Sequence, residues 1–199
     1  MRGSGFRARL LLVAALAGCF AVRSLQAESR RVDGERSTLT VLVYKTGLFS
    51  ALADNHVITA PIATGAFSDE APFSVEMTVR AADLKVVDPD VAASRRAEVQ
   101  TRMLSREVLD VATFPEIAFT STAIEAAGKG RWNVTGRMTI HGATRTVTFP
   151  TTFESGHYRG SFPLKQRDFG IEPISVAGGT VKVKDELKIQ FDIVASDPR

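Results

Sequence analysis

The chain has 199 residues, 44 % hydrophobic and 24 % charged, with a formal net charge of +3. This is the composition of an ordinary globular domain, and it excludes a disordered or low-complexity chain. A single cysteine, Cys19, excludes an internal disulfide framework, and a chain of this length buries a sizeable core without one.

The N-terminus comes first. Arg2, Arg7 and Arg9 form a basic region, and LLLVAALAGCFAV (10–22) is the short apolar stretch of a secretory signal. It falls short of the roughly 20 apolar residues that a spanning helix needs. Two cleavage readings stand side by side. LAGC (16–19) has the form of a bacterial lipobox, which makes residues 1–18 the signal and Cys19 the lipidated terminus. Cleavage after Ala27 in SLQA removes residues 1–27 instead. Both place the protein in the periplasm or cell envelope, free or lipid-anchored. Cleavage at Cys19 removes three of the 25 basic residues and leaves 22 against 22 acidic ones. A near-neutral mature chain, with no basic run interleaved with aromatics, excludes nucleic acid as a partner.

Residues 28–37, ESRRVDGERS, read as a polar tether. From Thr38 to Ala195 the pattern is mostly period two, the mark of half-buried strands. Strands are expected over 38–45, 56–67, 73–81, 115–125, 131–140, 145–154, 158–165 and 180–195. Pro61 implies an edge or bulge in the second. The last alternates most cleanly, with Val181, Val183, Leu187, Ile189, Phe191 and Ile193 on one face. Residues 82–114 interrupt the series. They carry a helix over 92–104 with a narrow apolar stripe at Val91, Val99 and Met103, then a short helix started by Ser105. Eight such strands close into an all-β, antiparallel barrel with a short helical insertion between the third and fourth strands. Its interior is filled by side chains or holds one small ligand.

Three segments carry a family resemblance: VLDVATFPEIAFTSTAIE (108–125), WNVTGRMTIHGATRTVTF (132–149) and KQRDFGIEPISVAGGTVKVKDELKIQFDI (165–193). Phe-Pro-x-Ile-x-Phe-x-Ser-Thr, Val-x-Gly-x-x-Thr-Ile-His-Gly-x-Thr and Asp-Phe-Gly-Ile, in that order, resemble the polyisoprenoid-binding YceI-like family. The resemblance covers residues 38–195. It implies a secreted lipocalin-like barrel around a long apolar cavity that holds prenyl-chain or similar lipids.

The histidines are the candidates for chemistry. His141, between a strand and Gly142, reads as a tight hairpin corner with Gly142 at positive φ. A catalytic role there lacks a nearby carboxylate and nucleophile. His56 follows Asp54 in ADNHV (53–57), so it is either a histidine whose tautomer Asp54 fixes or a strand-end residue bonded to backbone. His157 reads as a solvated turn residue. Their spacing carries no metal-ligand pattern, and no nucleophile elbow or phosphate loop is present. No cofactor is implied.

Phe49, Phe73, Phe119, Trp132, Phe149, Phe153, Phe169 and Phe191 line either a ligand cavity or a packed core. In KQRDFGIEP (165–173), Lys165, Arg167 and Asp168 beside Phe169 read as a rim where a polar head meets charge. The expected site is therefore Phe49, His56, Phe119, Trp132, Phe149, Arg167 and Phe169. The leading reading is a non-catalytic binding protein for an isoprenoid, quinone-like or acyl lipid, touching the membrane only through a lipid anchor or ligand delivery. A packed-barrel adaptor for an envelope partner and a lipid-modifying enzyme using His56 and Asp54 are the alternatives. A homodimer is an open option.

Overall fold

A computed structural model describes residues 29–46, 55–176 and 181–196. Antiparallel strands dominate. They are β1 (Arg30–Arg31), β2 (Thr38–Val43), β3 (Lys45–Thr46), β4 (His56–Thr59), β5 (Ile62–Ser68), β6 (Ser74–Arg80) and β7 (Lys85–Val86). Then follow the helix α1 (Ala93–Leu104), β8 (Glu116–Ala126), β9 (Arg131–Ile140), β10 (Ala143–Glu154) and β11 (His157–Lys165). The last three are β12 (Ser175–Val176), β13 (Val181–Val183) and β14 (Glu186–Val194). One curled sheet of eleven strands has the order β1-β5-β6-β8-β9-β10-β11-β14-β2-β4-β7, and β12-β13-β3 form a separate flap.

The sheet curls because one stretch of chain serves both of its ends. Residues 56–68 pair with β2 over the first half and with β6 over the second. Ala60 N–H donates to Leu39 O at the break (2.9 Å), and the register slips between Ile62 and Thr64. The proline expected at an edge or bulge thus marks the point where the strand changes partners, since Pro61 has no N–H to give. The eight expected strands exist, but breaks at Pro61 and at Lys184–Asp185 and the added short edges raise the count. The antiparallel barrel with one helical insertion is as expected.

The tether reading of 28–37 does not survive. Arg30 and Arg31 pair with Phe67 and Ala66 of β5. Val32 bridges Ala195, Asp33 N–H donates to Val194 O (2.8 Å) and Ser196 N–H to Arg31 O (2.8 Å). This polar segment is a seam that joins β5 to the end of β14. Its composition misleads because backbone groups make the strand pairing, which polar side chains do not betray, while Arg30 and Ser37 add side-chain bonds to Asp69 and Val194.

The helix also differs in detail. Ser105 ends α1, its Oγ donating to Arg102 O (2.8 Å), and turns follow where a second helix was expected. Gln100 on α1 covers the exposed edge of β7. Its side chain accepts from Val86 N–H (2.8 Å) and donates to Leu84 O (2.7 Å), mimicking a further strand.

His141 is the corner of the β9–β10 hairpin, between paired Ile140 and Ala143. Both central residues are left-handed, His141 at φ 50° and Gly142 at φ 74°, as the turn between twisted strands requires. The ring of His141 lies 4.4 Å from that of Phe114. His157 is not a solvated turn residue: it starts β11 and its Nδ1 lies 2.6 Å from Asp192 Oδ1. Partial burial raises the Asp192 carboxyl, but hydrogen bonds from Arg159 and His157 outweigh that and hold it below the ordinary value.

Inside, large rings sit over glycines. The Phe119 ring covers Gly136 and the Phe191 ring covers Gly160, where a Cβ would collide. Phe149 stacks on Phe162 with centroids 4.6 Å apart. These rings, with Val134, Leu164, Phe169 and Ile189, form one core cluster. A second gathers Ile58, Leu84, Val86, Met103, Leu109 and Ile171 under α1.

Candidate functional site

The barrel is not filled. An upper chamber of about 190 Å³ lies among β5, β6 and β8–β11, with walls of carbon almost throughout. A lower chamber of about 250 Å³ opens beneath α1 and the flap. Val41, Leu84, Ile117, Ile140, Leu164 and Ile189 belong to both walls and form an aliphatic waist between them. Alternation along β2, β8, β9, β11 and β14 turns these residues inward. The upper chamber is almost wholly apolar, whereas charged residues such as Arg95, Glu98 and Lys182 also line the lower one.

The upper chamber ends at a polar knot. Tyr158 Oη donates to Asp69 Oδ2 (3.1 Å), which also receives Arg30 Nη1 (2.7 Å). Burial pushes the Tyr158 phenol up to about 12, the charge and hydrogen bond of Asp69 add to it, and Arg30 opposes. Phe67 meets the Tyr158 ring edge-on at 5.1 Å. On the wall, Thr151 Oγ1 is buried with no hydrogen-bond partner among the described residues.

The lower chamber has a polar feature of another kind. His56 opens β4 and lines the chamber. Its Nδ1 lies 2.6 Å from Asp88 Oδ2, while Asp88 Oδ1 accepts the Val57 N–H at 2.6 Å. Asp88 is only 3 % exposed. Arg96 on α1 donates to the backbone oxygens of Asp88 and Val91. The carboxylate that orients His56 is thus Asp88, 32 residues away; Asp54 lies outside the described residues. Sequence reasoning missed Asp88. It sits in VVDPD (86–90), where Asp-Pro reads as nothing more than a turn.

The other expected site residues divide. Phe119, Trp132 and Phe149 line the upper chamber, His56 and Phe169 the lower. Phe169 is no rim residue: at 2 % exposure it is buried in the wall. Arg167 lines neither chamber and holds Glu172 on the outer surface, Nη2 to Oε2 at 3.0 Å, which raises its pKa through that hydrogen bond. Gln166–Phe169 form a 3-10 turn in which Gln166 and Phe169 point inward; at three residues per turn, Arg167 and Asp168 face water. Phe49 and Cys19 lie outside the described residues.

Among the described residues, no Ser, Thr or Cys side chain hydrogen-bonds His56 as the nucleophile of an acyl-transfer triad does. No group of three His, Cys, Asp or Glu among the described residues converges to hold a metal.

Known proteins share this architecture. BcnA of Burkholderia cenocepacia superposes with a TM-score of 0.65 at 23 % identity, over 83 % of this chain and 99 % of its own. A polyisoprenoid binding domain from Saccharophagus degradans gives 0.58 at 10 % identity, over 87 % of this chain and all of its own. Among curated sequences, a UPF0312 protein of Pseudomonas savastanoi pv. phaseolicola is 33 % identical over 109 residues, 50 % of this chain and 55 % of that protein. Another, from Pseudomonas putida strain W619, is 36 % identical over 89 residues, 40 % of this chain and 46 % of its own. The chain spans about half the length of the curated relatives it matches. The YceI-like domain model matches residues 31–195, beginning at the seam and ending at the residue that Val32 bridges. The chain belongs to the YceI-like family.

Proposed function

We propose that the protein is a non-catalytic binding protein of the periplasm or cell envelope that holds one long-chain apolar ligand in its barrel. The observation that carries this reading is the pair of largely apolar chambers set end to end on shared aliphatic wall residues. A linear chain suits such a shape, each buried methylene contributing about 0.8 kcal/mol, with a few polar groups left to fix the head. The ligand class is an isoprenoid, quinone-like or acyl lipid; the Saccharophagus domain of like fold is a polyisoprenoid binder. The basic, then apolar, N-terminal residues support the location.

The test is native mass spectrometry of protein purified from its own envelope extract, followed by lipid extraction. One long-chain lipid per chain is expected. Replacing Ile140 at the waist with Phe should shorten the chain length retained. An empty protein that takes up no added lipid overturns the reading.

A further inference from the structure

Resting on the binding-protein reading, we propose that His56 is an oriented hydrogen-bond acceptor for the hydroxyl head of the bound chain, with Asp88 as its positioning residue. Asp88 has both oxygens committed, Oδ1 to the Val57 N–H and Oδ2 to His56 Nδ1, each at 2.6 Å. A carboxylate only accepts, so the imidazole hydrogen sits on Nδ1. In the neutral ring Nε2 then carries a lone pair, and this is the nitrogen turned away from Asp88 in a residue that lines the chamber. No described residue hydrogen-bonds it.

Several other polar groups on this wall are engaged, while Tyr44, Glu98 and Lys182 line it too. Arg102 holds Glu107 (3.2 Å) and the Gln166 amide donates to Lys184 O (2.8 Å). Lys45 and Arg95 have partners of their own. In the upper chamber Tyr158 donates to Asp69, which Arg30 also holds, and Thr151 Oγ1 is sealed within the wall. An acceptor whose lone pair is set by Asp88 places the head below the waist, at Nε2, with the tail running up through Ile117, Ile140 and Ile189. A site built to bond an O–H discriminates against a ligand that cannot donate, because its own polar atom then goes unpaired.

Asp88→Asn is a sharp probe of this arrangement. The Val57 N–H demands an oxygen, so the amide must turn its NH2 towards His56. Nδ1 then has to accept, the ring hydrogen moves to Nε2, and the chamber presents a donor in place of an acceptor.

The experiment titrates delipidated full-length protein with cetyl alcohol, geranylgeraniol, the methyl ether of each, and palmitic acid. Assays run at about pH 8.5, above the ordinary imidazole range. Trp132, the single tryptophan, lines the upper chamber and reports occupancy by fluorescence. The wild type should bind each alcohol about tenfold tighter than its ether. Asp88→Asn should bring that ratio to one or below by strengthening ether binding, and His56→Phe should bring it to one. Equal alcohol and ether affinity in the wild type, tighter binding of the acid than of the alcohol, or a ratio unchanged in Asp88→Asn overturns the head site while leaving chain binding intact. If none of the five compounds binds, the head site and the proposed function fall together.

Discussion

The two chambers are built by different means. The upper one is a product of long, regular strands: β8 to β11 supply much of its wall, and Phe119, Phe149, Phe162 and Phe191 interlock around it, each over a glycine or stacked on another ring. The lower one is assembled from short pieces, namely β3, β4, β7, the flap and α1, held by side-chain bonds such as Gln100 to β7 and Asp88 to His56. Regular strands give an almost wholly apolar sleeve whose polar groups gather at one end, around Asp69 and Tyr158. Irregular pieces give a site where single side chains decide what is recognised.

If the upper sleeve is the stability core, truncation there is the costlier change. Phe149→Ala, which removes a ring meeting Phe119, Phe162 and Phe191, should lower the unfolding free energy by about 3–5 kcal/mol. Val99→Ala on α1, half-buried against the lower core, should cost about 1 kcal/mol. Urea denaturation of the two variants compares them directly, and equal losses would break the distinction.

The second contrast is wetness. The part-buried phenol at the upper end should titrate late. In a Tyr44→Phe background only Tyr158 remains, and its phenolate absorbance should rise with a midpoint about 12. Because the folded value lies above the ordinary one near 10, the linked stability is complete below that point and is lost as pH climbs through about 12. A midpoint near 10 would mean that water reaches this end freely.

The smallest effect concerns the wall itself. Thr151 Oγ1 has no partner among the described residues, so Thr151→Val exchanges an unsatisfied hydroxyl for a methyl of similar size. Thermal unfolding should show an unchanged or slightly stabilised protein, by up to about 1 kcal/mol. A clear loss would mean that the hydroxyl is bonded to something in the native chamber.

What the sequence disclosed follows from where the information lies. The sleeve was legible because alternation is local: each strand of 131–140 or 186–194 states its own inward face. The hairpin at His141 was legible for the same reason. The partner of His56 was not, because Asp88 reaches it across a fold and looks from its neighbours like a turn residue. Arg167 misled through period: beside Phe169 it reads as a rim partner, but the 3-10 turn sends adjacent residues in different directions. The seam at 30–33 was hidden by charge, since polar side chains say nothing about backbone pairing on an edge.

That seam makes the barrel a long-range object. Val32 finds Ala195 only when both ends of the domain are present, so ring closure cannot accompany growth of the chain from one end. High contact order of this kind slows folding. It also leaves the domain's ends side by side, where a short linker from Ser196 to Arg30 would permit new termini at the exposed Ser155–Gly156 turn. A circular permutant of that design keeps every strand pair except the hairpin it opens.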